Sequence, residues 1–190
     1  MPIYGHRARI GYTSPPSATE VFPYEFYKIV PDGVTLVVHT LPLVERNDEE
    51  VDRSYEASLR AAKIMARAKV DILVFGGLPI NVSKGFDNLD VLIADTEKEV
   101  GIPITTSATA QREAFKTLGC NKVGIVHPYD TSHDERHMNY MREFGLDPQG
   151  CDRAEAKFIE LGLVEEERAL KLGRSVKAQH GLNVRDALVN

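Results

Sequence analysis

Three short segments of this chain gather hydroxyls, amides and imidazoles directly after apolar runs. The segment His127-Pro128-Tyr129-Asp130-Thr131-Ser132 is the richest. Tyr129 carries a phenol that donates a hydrogen bond to an anion at neutral pH. His127 is an acid–base candidate, although a lone histidine is more often a structural group. Asp130 and Ser132 are candidates to cap the helix that follows. The segment Thr13-Ser14-Pro15-Pro16-Ser17 offers hydroxyls on a chain stiffened by two prolines. Stiffness lowers the ordering cost of holding a ligand; an ordinary turn with a hydroxyl cap is the plainer reading. The segment Gly76-Gly77-Leu78-Pro79-Ile80-Asn81-Val82-Ser83-Lys84-Gly85 opens on paired glycines. These let backbone approach a ligand closely, and amides at a helix start can hold a carboxylate. Turn chemistry explains a glycine pair equally well.

Other reactive side chains read as passive. Cys120 and Cys151 have no partner base nearby in sequence, with Cys151 in the glycine-containing turn PQGCD. Two thiols make neither a zinc site nor a disulfide framework. His133 and His137 have an i,i+4 spacing that suits a metal, but the run SHDERH lacks the glutamate placement of a zinc-protease helix. With Asp134 they read as a solvated helix face, and no metal site is expected. Glu49, Glu50 and Arg53 are likewise expected to face solvent.

Parallel strands are the elements that would bring the three segments together. Ala8–Tyr12, Val34–His39, Val70–Phe75, Ile104–Thr106 and Lys122–Val126 are short apolar runs, continuous rather than alternating, as buried parallel strands are. Between them Asp48–Lys69 repeats Val51, Tyr55, Leu59, Ala62 and Met65 at helical spacing. Asn88–Val100, Thr109–Leu118 and Ser132–Phe144 are further helices, the last two stopped by Gly119 and Gly145. Lys157–Glu160 is expected as a sixth strand and Val164–Gln179 as a final helix. This order predicts an α/β fold with parallel sheets covered on both faces. Ligands in such folds sit at the carboxyl ends of strands, which selects Thr13–Val21, Leu41–Arg46, Gly76–Gly85 and His127–His133. A division near Gly119 gives two α/β lobes, residues 1–118 and 119–190. The closing stretch HGLNVRDALVN is short and weakly strand-like, and leaves two readings open: a truncated, incomplete second sheet, or a short closing strand at Ala187–Val189.

Composition narrows the partners. At 190 residues and 43% hydrophobic, the chain can bury one large core or two small ones. A net charge of -5 argues against nucleic acid or an anionic membrane, both of which call for a basic patch. No apolar run reaches the length of about 18 residues needed to span a bilayer, and the N-terminal MPIYGHRARIGY lacks the apolar core of a secretory signal. A cytoplasmic location is expected. The sequence leaves the oligomeric state open.

Several modest motifs, read together, carry a family resemblance. They are Gly11-Tyr12-Thr13-Ser14-Pro15-Pro16, Thr40-Leu41-Pro42-Leu43, Glu50-Val51-Asp52, Val70-Asp71-Ile72-Leu73-Val74-Phe75-Gly76-Gly77, Thr105-Thr106-Ser107 with Ala108-Thr109-Ala110, and Val123-Gly124-Ile125-Val126-His127-Pro128-Tyr129. Up to about Phe158 the chain resembles the aspartate/glutamate racemase superfamily, in its arylmalonate decarboxylase and maleate cis-trans isomerase branch. The resemblance implies two similar parallel α/β lobes with a site in the cleft between them, a small-molecule carboxylate as partner and no cofactor. Racemases and isomerases of the superfamily use two cysteines, one per lobe. The decarboxylases keep only the second, as proton donor, with glycine at the first position, here most naturally Gly77. Their next residues are hydroxyl-bearing and help bind a carboxylate, where this chain has Leu78 and Pro79. That change shifts the anion pocket toward Asn81 or Ser83. Cys151 comes too early to be the second cysteine. The implied reaction stabilises a carbanion or enediolate with hydrogen-bond donors and then protonates it. Ser14, Pro15, Gly77, Leu78 and Asn81 are the expected substrate-binding residues, and Tyr129 the expected catalytic one, its hydroxyl on a substrate carboxylate. An arylmalonate decarboxylase-like activity is the first expectation. A maleate isomerase-like or racemase-like activity is the second, and a non-catalytic carboxylate-binding or inactive member the third.

Overall fold

The computed structural model describes residues 4–182 and the backbone of 187–189; residues 1–3 of the N-terminal stretch and residues 183–186 of the closing stretch lie outside the described residues. The chain forms two compact units, Met1–Ala110 and Gln111–Asn190.

In the first unit, β1 (Ala8–Pro16), β2 (Val34–Leu43), β3 (Ile72–Phe75) and β4 (Ile104–Thr106) form a parallel sheet in the order β2-β1-β3-β4. Four helices accompany it: α1 (Val21–Ile29), α2 (Asp48–Arg67), α3 (Leu78–Asn81) and α4 (Leu89–Val100). The central pair β1 and β3 is continuously apolar because both faces are covered. Ala62 and Met65 of α2 close on Val70, Leu73, Phe75 and Ile104 to make the core. Each large side chain of such a core stabilises the fold by roughly 1.5–3 kcal/mol. Helix α2 starts where Asn47 accepts a hydrogen bond from the Glu50 amide at 2.9 Å, with Asp48, Glu49 and Glu50 in its first turn and Arg67 in its last. Those charges complement the helix dipole.

The strand after Gly11 runs further than expected. Thr13, Ser14, Pro15 and Pro16 are not a loop but the end of β1, paired with β2 as far as Pro16 opposite Leu43, with a register shift after Ser14. Strand β3 stops at Phe75, opposite Thr13. Pro15 and Pro16 therefore lie beyond that ladder and withhold no amide from it, the condition under which proline is tolerated in a sheet. Strand β2 likewise continues through Thr40-Leu41-Pro42-Leu43, an edge strand that can carry Pro42. Helix α1 was not anticipated at all. Its sequence, VFPYEFYKI, is aromatic and contains a proline, so neither propensity nor periodicity announces it.

In the second unit, β5 (Lys122–His127), β6 (Asp147–Arg153) and β7 (Ala187–Val189) form a parallel sheet in the order β6-β5-β7. Helix α5 (Ser107–Leu118) precedes β5; α6 (Asp134–Glu143) and α7 (Glu166–Gln179) follow it. The expected sixth strand at Lys157–Glu160 is instead a 3-10 stretch, Phe158–Leu163. The strand is the polar DPQGCDR, expected as a turn. Its only strand partner among the described residues is β5, so it has an edge that polar residues suit. The short closing strand is present and pairs with β5 at Val123, Gly124 and Ile125. Val126, Val176 and Leu182 form a core cluster here, with Leu172 against it. Among the described residues no helix is long and apolar enough to cross a membrane.

Candidate functional site

In the first unit the expected residues converge at the carboxyl ends of β1 and β3. The Gly76 amide donates to the Thr13 carbonyl at 3.1 Å and the Thr13 hydroxyl at 3.0 Å, which ties the two strand ends together. Gly77 then turns with φ +83°, and a Cβ there would stand 2.7 Å from Pro15 Cγ and 3.1 Å from Ile80 Cδ1. Pro15 and Gly77 are thus in contact. Leu78 and Pro79 begin α3, which is a single turn and too short to present a useful dipole. Ser14 is 1% exposed.

Asn81 has a different setting from the one expected. It is 4% exposed, and its Oδ1 accepts from the Ser107 hydroxyl at 2.8 Å and the Ala108 amide at 3.4 Å. Its carbonyl therefore holds the start of α5. Asn81 also lines a pit with Tyr55, Ser58, Leu59, Phe75, Ile80 and Leu92, whose cavity volume is only about 10 Å³. That is below the roughly 300–1,000 Å³ of ordinary small-molecule sites.

Two residues at this end of the sheet escaped the sequence reading. Tyr12 is 8% exposed and its ring stacks on Phe22 at 3.9 Å and 16°. Burial pushes its phenol up to about 12, so it stays protonated. Glu50, expected in solvent, is 8% exposed. Its Oε2 accepts from the amides of Val44, Glu45 and Arg46 at 3.0, 2.8 and 2.8 Å. Burial alone would raise this carboxyl, but the three amides, helped by Arg53, hold it below the usual carboxylate range. The turn it fixes leads out of β2 and includes Arg46 at φ +63°. Acid at the third helical position after an Asn cap was the available signal, since that position reaches back over the preceding turn.

In the second unit Tyr129 follows β5, half-buried, with ring neighbours His127 at 6.0 Å, His133 at 5.1 Å, His137 at 5.5 Å and Phe158 at 6.2 Å. Asp130 accepts from the Ser132 amide at 2.9 Å and caps a 3-10 turn, Thr131–His133, which precedes α6. The SHDERH face is not solvated as expected. His133, Asp134 and His137 are half-buried, because they pack toward β5 and β6. His137 stacks on His127 at 4.4 Å, and its Nδ1 donates to the His133 carbonyl at 2.8 Å.

His127 is 1% exposed, with Nε2 2.9 Å from Asp134 Oδ1. The other carboxylate oxygen meets Arg153 Nη2 at 3.0 Å. Burial holds His127 below its ordinary pKa, although Asp134 pulls the other way. The neutral ring then donates from Nε2, and the buried Nδ1 has no partner. Cys151 lies beside this pair, so it does have a base near it in space; burial first, then the Asp134 charge, pushes its thiol up. Donor atoms of His127, Asp134 and Cys151 lie within 4.8 Å of one another. Both carboxylate oxygens are already engaged, one of them by a guanidinium that would repel a dication. The residues form a hydrogen-bonded ion-pair network better than a metal cage.

Parallel α/β units with polar strand ends of this kind are also the fold of arylmalonate decarboxylase and maleate cis-trans isomerase, on whose solved structures the chain superposes. Residues 10–188 match the family model of arylmalonate decarboxylase, and the chain belongs to that family. It is 25% identical over 142 residues to the arylmalonate decarboxylase of Bordetella bronchiseptica, covering 75% of this chain and 58% of that protein. It is 29% identical over 131 residues to the maleate isomerase of Alcaligenes faecalis, covering 66% of this chain and 52% of that one. The chain therefore spans little more than half the length of these curated relatives. Among solved structures, a liganded double mutant of arylmalonate decarboxylase, with one glycine changed to cysteine and one cysteine to serine, superposes with a TM-score of 0.84 at 21% identity. That match covers 96% of this chain and 77% of the other.

Proposed function

We propose that this chain acts without a cofactor on a small carboxylic acid, in the manner of an arylmalonate decarboxylase. In that reaction the bond from the α-carbon to one carboxylate breaks and carbon dioxide leaves. The electron pair passes into the remaining carboxylate as an enediolate, and a proton taken up from water at the α-carbon completes the turnover. The protein's task is to hold the diacid and stabilise the enediolate with fixed donors.

Gly77 is the observation that carries this reading. The turn after β3 has φ +83°, and Pro15 Cγ stands 2.7 Å from where a Cβ would be. A side-chain thiol at this position is thus opposed by both backbone and packing, which favours one-sided protonation over the two-thiol chemistry of a racemase. Ser14 and Pro15 line the same strand end. Tyr129 is assigned to a substrate carboxylate through its hydroxyl.

The test is incubation of the chain with an arylmalonate in D2O, followed by NMR for a monoacid bearing one deuterium at the α-carbon. Tyr129→Phe should lower turnover or affinity by about 10- to 100-fold, the worth of one hydrogen bond to a charged group. Unchanged turnover in that variant removes Tyr129 from the site. The isomerase reading is favoured by the likeness to maleate isomerase. Conversion of maleate to fumarate, with no decarboxylation of the malonate, would replace the first reading with the second.

A further inference from the structure

The turn after β3 is short of side-chain hydrogen-bond donors. Leu78 has no hydroxyl, Pro79 has no N–H, and the Ser83 hydroxyl donates to the Ile80 carbonyl. The side-chain donor left on this turn is the Nδ2 of Asn81, whose Oδ1 is held by Ser107 and Ala108. A carboxylate held at this end of the sheet needs further donors. Strand β1 supplies them. Successive side chains of a strand alternate between faces, so Tyr12 and Ser14 share one face while Thr13, on the other, is occupied with the Gly76 amide. The Tyr12 hydroxyl lies directly beside Gly76, where a Cβ would stand 2.7 Å from the phenol oxygen. More than nine-tenths of Tyr12 is buried; its hydroxyl oxygen makes no hydrogen bond among the described residues and is not enclosed, so the phenol tip is the part of the side chain that stays open beside the turn.

An open phenol tip at a strand end is a donor available to an incoming acceptor. Phenylalanine would keep the stack on Phe22. The hydroxyl adds nothing to that stack and lies against the Gly76-Gly77 turn. We infer that Tyr12 is a substrate-binding and specificity-determining residue, donating its O–H to a carboxylate of the small diacid, with Ser14 as the neighbouring hydroxyl on the same face of β1. This rests on the reading of the site as one for a carboxylic acid, and deepens it by naming the donor that replaces a hydroxyl-bearing turn after Gly77. The donor is neutral, because burial holds the phenol protonated far above neutrality, so it recognises the anion without a counter-charge.

The experiment is calorimetric titration of the full chain and its Tyr12→Phe variant with phenylsuccinate, an aryl diacid that cannot decarboxylate to an enediolate, and with its half-amide, alongside thermal melts. The wild type should bind the diacid more tightly than the half-amide. Y12F should weaken diacid binding by about 10- to 100-fold, the range for a hydrogen bond to a charged group, and the discrimination between the two ligands should shrink. Its melting temperature should be unchanged or higher, because only an unpaired hydroxyl is lost. If Y12F binds both ligands as the wild type does, the inference is overturned while the carboxylate site stands. Equal weakening for diacid and half-amide, or a lowered melting temperature, also overturns it by showing a structural role. If the wild type binds neither ligand, the reading of the site fails and the inference goes with it.

Discussion

Removing the charge from Glu50 should unlock the turn that leads out of β2. One carboxylate oxygen there receives three backbone amides, at 3.0, 2.8 and 2.8 Å. A hydrogen bond to a charged acceptor is worth about 1.5–3 kcal/mol, against about 1 kcal/mol for a neutral one. Three bonds to one oxygen are not additive, so Glu50→Gln should cost about 2–3 kcal/mol. Glu50→Ala leaves three buried donors without an acceptor and should cost about 3–5 kcal/mol. In a chain of this size each kcal/mol moves the melting temperature by about 2–4 °C, so E50Q should melt roughly 5–10 °C low at pH 7. The pH dependence supplies an internal control. The folded carboxyl titrates below its unfolded value, so the stabilisation is complete above the unfolded pKa of about 4.3 and disappears as pH falls through the folded pKa. Melts of wild type and E50Q, followed by circular dichroism from pH 7 to pH 3, should therefore converge in acid. A variant as stable as the wild type at pH 7, or a gap that persists undiminished at pH 3, would refute the three-amide account.

Gly76→Ala should destabilise the chain by about 1–3 kcal/mol or more, the cost of overpacking, because its methyl would overlap the Thr13 carbonyl and the Tyr12 ring. Gly101→Ala, at φ +72° with open space around it, should cost only about 1 kcal/mol of backbone strain; equal losses in thermal melts of the two would argue against close approach at Gly76. His127 has a folded pKa below its unfolded value, so the unfolded chain binds a proton near pH 6.5 that the folded chain refuses. Stability should fall as pH drops below that value, and less steeply in His127→Gln; parallel slopes in the two proteins would sink the assignment.

Much of the fold could be read from the chain because its strands are apolar throughout and its helices periodic. Ile104–Thr106 was located to the residue, and α2 to within two. The misses have physical causes. DPQGCDR reads as a turn because it is polar, yet it gains a partner in β5 that no local pattern reveals. Thr13–Pro16 reads as a loop because prolines usually end strands, whereas here they pair on one side only. The site was half legible. Pro15 and Gly77 meet because both follow apolar runs at the same end of one sheet. Tyr12 and Glu50 were hidden because their importance depends on burial, and burial is a property of neighbours far along the chain. The commitment of the Asn81 carbonyl was hidden as well, since its partners Ser107 and Ala108 are more than 25 residues away.

Helix α1 buries none of its residues, and Phe22, Tyr24, Tyr27 and Ile29 all remain exposed. Yet Tyr27 receives the Leu36 amide at 3.0 Å, on the side of β2 turned away from β1. The helix thus works as a latch over an otherwise open template for strand addition. Were it to swing aside, the exposed backbone and an aromatic flap would be released together, and concentrated solutions of the protein would then be prone to stick to themselves.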